Sequence, residues 1–414
     1  MDRVSRLERR TIADRSGQVT DRLPRNAFAR LSSLLEPLTP PTGLAPIALH
    51  LGELQFHPPS MLLDNLVSPA DWSRYPPLGG TPELRHAYEQ WLLGRFGTRT
   101  GNLGVEPTPG AKQAMALLIT DSVRRKRMQG TAQPVVALPN PFYPTYYAAV
   151  SESQAQAEFY DPEPSRVTRS LKEALDRAGP RLCAIIICHP GNPSGDVYDS
   201  SVLAKFAAIA SDSGAILLVD ECYIDTYVDA PPPGYLQLVA QGQVSYRGTA
   251  VVHTLSKRSG VPGLRSGFVA GDPALVDGYA RVNRTCGVSL AKPVCDAAAR
   301  LWSDEAHVEA NRARLRENWV TADQVMRCVP AYRRPAAGFF LWLRVQDDEA
   351  VTRRLWARAA LKVMPGRYLG CVDATGGNPG AGHIRVALVH DRPTVELALI
   401  RLRDAILEEE TNNA

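Results

Sequence analysis

The 414-residue sequence has no Cys-X-X-Cys pair, and its seven cysteines are Cys183, Cys188, Cys222, Cys286, Cys295, Cys328 and Cys371. An odd count without paired spacing excludes a disulfide framework and offers no ligand set for zinc, so no metal is expected. Cys183 and Cys188 stand in the apolar run LCAIIICHP, as reduced, buried thiols do. A reducing cytoplasm is therefore the expected location. No apolar stretch approaches the roughly 18 residues of a membrane span, and none is expected. The opening MDRVSRLERRTIADRSGQVTDR lacks the apolar core of a secretory signal, and Asp2, Glu8, Asp14 and Asp21 count against an organellar leader. Charge of one sign is missing as well. With 47 basic and 43 acidic residues the net charge is +4, which gives no footprint for nucleic acid. There is no internal repeat and no low-complexity tract.

What is present is an ordinary globular mixture, 44% hydrophobic and 22% charged, long enough for two or three domains. Five short apolar runs bounded by Gly, Pro, Asn or Asp read as buried strands: 135–139, 183–187, 215–220, 250–256 and 266–271. Between them, residues 201–214 carry apolar positions three and four apart and end near a glycine, as a helix does. Strand, helix, strand in succession predicts an α/β fold whose mainly parallel sheet is covered on both faces. Such sheets bind ligands at the carboxyl ends of their strands. Past residue 300 the pattern changes. A long charged helix (305–326) precedes strands at 338–345 and 383–389, with a helical run at 349–361 between them. This predicts a smaller α+β unit.

The informative stretch is HTLSKRSGVPGLRSGFVAG (253–271). It places Ser256 and Lys257 at a strand end and Arg265 eight residues later. A lysine there can form a Schiff base if its surroundings deprotonate it. Serine and arginine suit a phosphate, the arginine through two parallel hydrogen bonds. AILLVDECY (215–223) runs a strand into Asp220, with Tyr223 three residues on. A carboxylate so placed can be a helix cap, or can keep a pyridinium nitrogen protonated. CHPGNPSG (188–195) is a tight turn that presents Asn192 as a donor. TPGAKQAM (108–115) opens a helix whose first amides, at Gly110, Ala111 and Lys112, can hold phosphate. LPNPFYPTYY (138–147) offers Tyr143 as a stacking face. Each feature alone has a plainer reading, as surface lysine, cap, turn or core aromatic.

Their order and spacing together resemble the fold-type I, class I/II aminotransferases, over residues 20 to 405. The resemblance implies pyridoxal 5′-phosphate as cofactor. It implies a large cofactor-binding domain (66–300) with a mainly parallel seven-stranded sheet between helices. It also implies a small α+β domain (301–414), an associated N-terminal segment (21–65) and an extension (1–20). Lys257 then matches the lysine that holds the cofactor and moves the substrate proton. Asp220 matches the partner of the ring nitrogen, Asn192 and Tyr223 the donors to the ring oxygen, and Tyr143 the stacking aromatic. Ser256, Arg265 and the Gly110–Lys112 backbone match the phosphate cup. Tyr75, in RYPPLGGTPELR, matches a tyrosine reaching the phosphate of a neighbouring subunit, which implies a homodimer. Arg385, in HIRVAL, matches the clamp on the substrate α-carboxylate, and Gly52 a glycine beside the substrate. LPNPFY, DECY, DEAHVEANR and NPGAGHIRVALV are similar to bacterial N-succinyl-diaminopimelate aminotransferases. That likeness implies amino transfer from L-glutamate to N-succinyl-2-amino-6-ketopimelate.

Two other functions compete. Gly52-Glu53-Leu54 stands where the family usually reads Gly-Glu-Pro, which leaves open a lyase or a replacement enzyme acting at Cβ or Cγ on the same scaffold, with an activated amino acid such as S-adenosylmethionine as substrate. A regulator built on this fold would carry a DNA-binding domain, for which 20 extra residues are too few.

Overall fold

The computed structural model describes residues 26–65, 72–330 and 332–412. The extension assigned to residues 1–20 lies outside the described residues. The chain enters through α1 (Ala27–Leu35), capped by the Asn26 side chain, and the two-residue strand β1 (Ile47–Ala48). Seven strands then build the main sheet: β2 (Gly104–Thr108), β3 (Val135–Pro139), β4 (Gln156–Tyr160), β5 (Leu182–Cys188), β6 (Ile216–Asp220), β7 (Thr249–Thr254) and β8 (Gly267–Gly271). Their order is β2-β8-β7-β6-β5-β3-β4, and only β8 runs against its neighbours.

The sheet is buried on both faces, which is why its strands read as continuous apolar runs rather than alternating ones. Val135, Ala137, Ile185, Ile187, Leu217 and Val219 point into one core. Val136, Leu138, Ala184, Ile186 and Leu218 point into the other. Each fully buried aliphatic side chain contributes about 1.5–3 kcal/mol relative to exposure. The covering helices are α2 (Pro82–Phe96), α3 (Ala111–Met128), α4 (Pro144–Glu152), α5 (Val167–Ala178), α6 (Ser200–Ser213), α7 (Tyr235–Ala240), the single turn α8 (Leu255–Arg258), α9 (Pro273–Cys286) and α10 (Lys292–Ser303).

The remainder runs α11 (Ala306–Met326), β9 (Phe340–Arg344), α12 (Asp348–Ala359), β10 (Leu361–Lys362), β11 (Met364–Pro365), β12 (His383–Ala387) and α13 (Arg392–Asn412). The antiparallel trio β11-β12-β9 shares a core with Trp319, Leu355 and Leu402, and Ile47 and Leu49 join it because β1 pairs with β10.

Three details differ from the sequence reading. The strand expected through Ser256 stops at Thr254, whose hydroxyl accepts the Ser256 amide and starts α8. Lys257 therefore sits on a helical turn and not at a strand tip. Two strands are additional, β2 (GVEPT) and β4 (QAEFY). Their Pro, Glu and Gln residues hide the apolar pattern. In β2 the buried Glu106 is neutralised by Arg85 and Arg284.

Candidate active site

The carboxyl ends of the sheet converge on one cavity of about 370 Å³. β3 leads to Tyr143, β5 to Asn192, β6 to Asp220 and Tyr223, and β7 to Ser256 and Lys257. Ala111, Lys112 and Arg265 line the same cavity.

Lys257 is partly buried, and its Nζ donates to the carbonyl of Gly52. Removal from water lowers its amine to about 8, with the Arg385 cation adding to the effect and Cys222 opposing it. Asp220 is buried at 4% exposure. Its carboxylate accepts from the Cys222 amide at 3.0 Å and from the Tyr146 hydroxyl at 2.5 Å. Burial pushes the carboxyl up, and those two hydrogen bonds offset part of the effect. No ion pair to Asp220 occurs among the described residues. Burial also raises the Tyr223 phenol, so it stays a donor at neutral pH.

Asn192 is the junction of the site. Its Nδ2 donates to Tyr223 at 3.4 Å and its Oδ1 accepts from Arg385 Nη1 at 3.0 Å. Arg385 Nη2 donates to the His50 carbonyl at 2.9 Å, and the guanidinium lies 4.2 Å from the Phe340 ring centre. The Nε of Arg385 is buried without a partner. Burial lowers this guanidinium to about 10, still a cation at neutral pH. An added Cβ at Gly52 would stand 2.6 Å from Phe340, so the ring that backs Arg385 requires glycine there.

Ser256 and Arg265 line the cavity, and Gly110 packs against Arg265. Gly110 has φ +102° and begins α3, and a Cβ there would fall 2.4 Å from Arg265 Nη2. Glycine thus lets the guanidinium lie against the first amides of the helix. Arg265 is exposed toward solvent, held by the carbonyls of Pro262 and Pro109 at 2.7 and 3.0 Å.

The fold therefore gathers Ala111, Lys112, Tyr143, Asn192, Asp220, Tyr223, Ser256, Lys257 and Arg265 around the cavity. Gly110, Gly52 and Arg385 join through their contacts with Arg265, Lys257 and Asn192. Tyr75 is not brought in: it is fully exposed. Tyr146, Cys222 and Thr254 also line the cavity and were not singled out from sequence. Tyr146 sits three residues after Tyr143, one helical turn on, which is the signal that could have found it.

A cavity at the strand ends that joins a lysine of lowered pKa, a buried carboxylate without an ion pair and an arginine beside a helix N-terminus is that of a fold-type I enzyme that uses pyridoxal phosphate. The chain belongs to the family "Aminotransferase class I and II", which matches residues 50–402. It is 30% identical to 4-dedimethylamino-4-oxo-anhydrotetracycline transaminase OxyQ of Streptomyces rimosus, over 87% of this chain and 94% of that protein. It is 25% identical to LL-diaminopimelate aminotransferase of Desulforudis audaxviator, over 93% and 96%. Its fold superposes on an aminotransferase from Neisseria meningitidis with a TM-score of 0.87 at 32% identity, covering 94% of this chain and 99% of that one. These likenesses are to aminotransferases, so the lyase and replacement chemistry left open by Gly52-Glu53-Leu54 is set aside. Leu54 is buried in an apolar cluster with Tyr223, Phe339 and Phe340.

Proposed function

We propose that the enzyme moves an amino group between L-glutamate and a 2-oxo acid, with Lys257 as the residue that carries pyridoxal phosphate. The observation that carries this reading is the set of unmet needs in and beside the cavity. Asp220 is a buried carboxylate with no cation paired to it among the described residues, and a protonated ring nitrogen answers it. The Nε of Arg385 has no partner, and a substrate carboxylate answers that. The donor set fits the cofactor: phenol and amide donors at Tyr223 and Asn192 for the ring oxygen, Tyr143 for the ring face, and Ser256, Arg265 and the Gly110–Lys112 amides for the phosphate.

Bound pyridoxal phosphate supplies an electron sink for the pair left at the substrate α-carbon. The chain does the rest. Asp220 holds a proton on the ring nitrogen. Arg385 pairs with the α-carboxylate and fixes which α-bond faces the lysine. The Lys257 amine, neutral in a useful fraction near pH 8, takes the α-proton and returns it to the carbon on the other side of the transferred nitrogen. Tyr75 completes the phosphate site of a second copy, so the working unit is a homodimer in the cytoplasm. Residues 21–65 with 301–414 act as the small domain against 66–300.

The motif likeness supports N-succinyl-2-amino-6-ketopimelate as acceptor, and the diaminopimelate aminotransferase relative supports an acceptor of that size and polarity. The relative from Streptomyces rimosus supports a second acceptor class, the ring ketone of a 4-oxo-anhydrotetracycline. The test is a spectral titration of the holoenzyme with L-glutamate, followed by each acceptor. Loss of the visible band with glutamate and its return with 2-oxoglutarate supports amino transfer. A band that glutamate leaves untouched rejects glutamate as donor, and the acceptor that restores the band fastest identifies the substrate.

A further inference from the structure

The DEAHVEANR motif opens α11 and takes no part in the chemistry above, yet it grips the residues that follow Lys257. His307 Nδ1 lies 2.6 Å from Asp304 Oδ2, and His307 Nε2 lies 2.8 Å from the Ser259 hydroxyl. The carboxylate only accepts, so it sets the proton on Nδ1 and leaves Nε2 to accept from Ser259. Burial keeps His307 below its ordinary value even though the Asp304 hydrogen bond pulls the other way, so the ring is neutral. This is a Ser–His–Asp chain, but Ser259 is 1% exposed and no substrate can reach it.

The neighbouring residue is gripped as well. Arg258, 3% exposed, donates to Glu305 at 2.6 Å and to Asp225 at 2.7 Å, and its guanidinium lies beside the rings of Trp91 and Trp302. Burial pushes the Asp225 carboxyl up, but Arg258 and Arg95 outweigh it and hold it below the usual range. Asp225 follows Tyr223 by two residues, so the ion pair joins the tyrosine loop to the lysine turn. Further along α11, Asn318 donates to the carbonyls of Leu388 and His390, just past the strand that bears Arg385. From His307 to Asn318 the helix rises roughly 16 Å.

We propose that Asp304, His307 and Ser259, with Glu305, Arg258 and Asp225, form a clasp that positions Lys257. Through α11 the clasp also fixes where the lysine stands relative to Arg385. His307 is a positioning residue: it touches neither substrate nor cofactor. The inference rests on Lys257 being the lysine that carries the cofactor.

The experiment adds pyridoxal phosphate to cofactor-free protein and follows growth of the visible band, with kcat and KM for glutamate measured on the loaded enzyme. The variants are His307→Ala, Ser259→Ala, His307→Gln and Lys257→Ala. A lysine displaced by a fraction of an ångström to an ångström loses reactivity steeply. Both alanine variants of the clasp are therefore expected to form the band roughly tenfold more slowly and to lose kcat more than KM. His307→Gln, which keeps a polar atom near the Nε2 position, is expected to recover part of the rate. Ser259→Ala removes one hydroxyl and carries the test if His307→Ala does not fold. A band that survives Lys257→Ala overturns the lysine reading and this one with it. A band lost there but formed at the wild-type rate by both clasp variants overturns the clasp alone. A fall confined to His307→Ala, or no recovery in His307→Gln, marks a packing defect and also overturns it.

Discussion

Lys257, Asp220 and Arg385 are charged groups drawn out of water, and each consequence can be measured. Burial lowers the Lys257 amine to about 8, so its neutral fraction grows as pH rises through that value. Only the neutral amine attacks an aldehyde. Capture of pyridoxal phosphate by the cofactor-free protein is expected to accelerate roughly tenfold from pH 7 to pH 9 and then level off. A rate still climbing above pH 10 would mean an ordinary, solvated lysine. Asp220→Ala removes the carboxylate proposed to pair with the ring nitrogen without touching Ser256, Arg265 or Lys257. The variant is expected to keep its visible band while kcat falls by roughly a hundredfold or more. Near-normal turnover would sink the role given to Asp220. Arg385→Ala is expected to weaken carboxylate binding by about 1.5–3 kcal/mol, read as a rise in KM for glutamate. An unchanged KM for every amino acid would reject the clamp.

At the scale of elements, the site depends on where strands stop. Thr254 ends β7 with its own hydroxyl and turns the chain into α8, which swings Lys257 over the cavity. Gly110 ends the β2 loop at φ +102° with Arg265 packed where a Cβ would be. Gly110→Ala is therefore expected to destabilise the fold by on the order of 1–3 kcal/mol, from backbone strain alone. It should also weaken retention of pyridoxal phosphate, because the guanidinium must move. Thermal unfolding and a cofactor titration measure the two effects separately. These elements were unevenly legible. The apolar runs of β3, β5, β6, β7 and β8 stand out because both faces of the sheet are buried. β2 and β4 do not, since Glu106, Pro107 and Gln156 belong to strands whose polar groups find partners in space. α11 was clear from its length, while its grip on Ser259 and Arg258 joins residues far apart in the chain.

At the scale of the molecule, Tyr75 is fully exposed, and Trp72, Leu78 and Val288 are exposed apolar side chains as well. Exposed aromatic and aliphatic side chains of this kind are what the proposed homodimer would cover. If Tyr75 reaches the neighbour's phosphate, Tyr75→Ala and Lys257→Ala subunits complement each other. Mixed dimers then hold one intact site in two, and after full subunit exchange the mixture is expected to recover about a quarter of wild-type activity. No recovery after demonstrated exchange would place Tyr75 outside the site.

By itself the sequence determined the family, the cofactor and most of the polar side chains that line the cavity, because each chemical role demands a residue type at a strand end and those demands leave a readable order. The tertiary structure alone decided the rest. It paired Tyr146 with Asp220, left Arg385 Nε without a partner, and closed the chain Asp304–His307–Ser259. Those contacts join residues that sequence spacing cannot relate, since packing and desolvation act through distance in space.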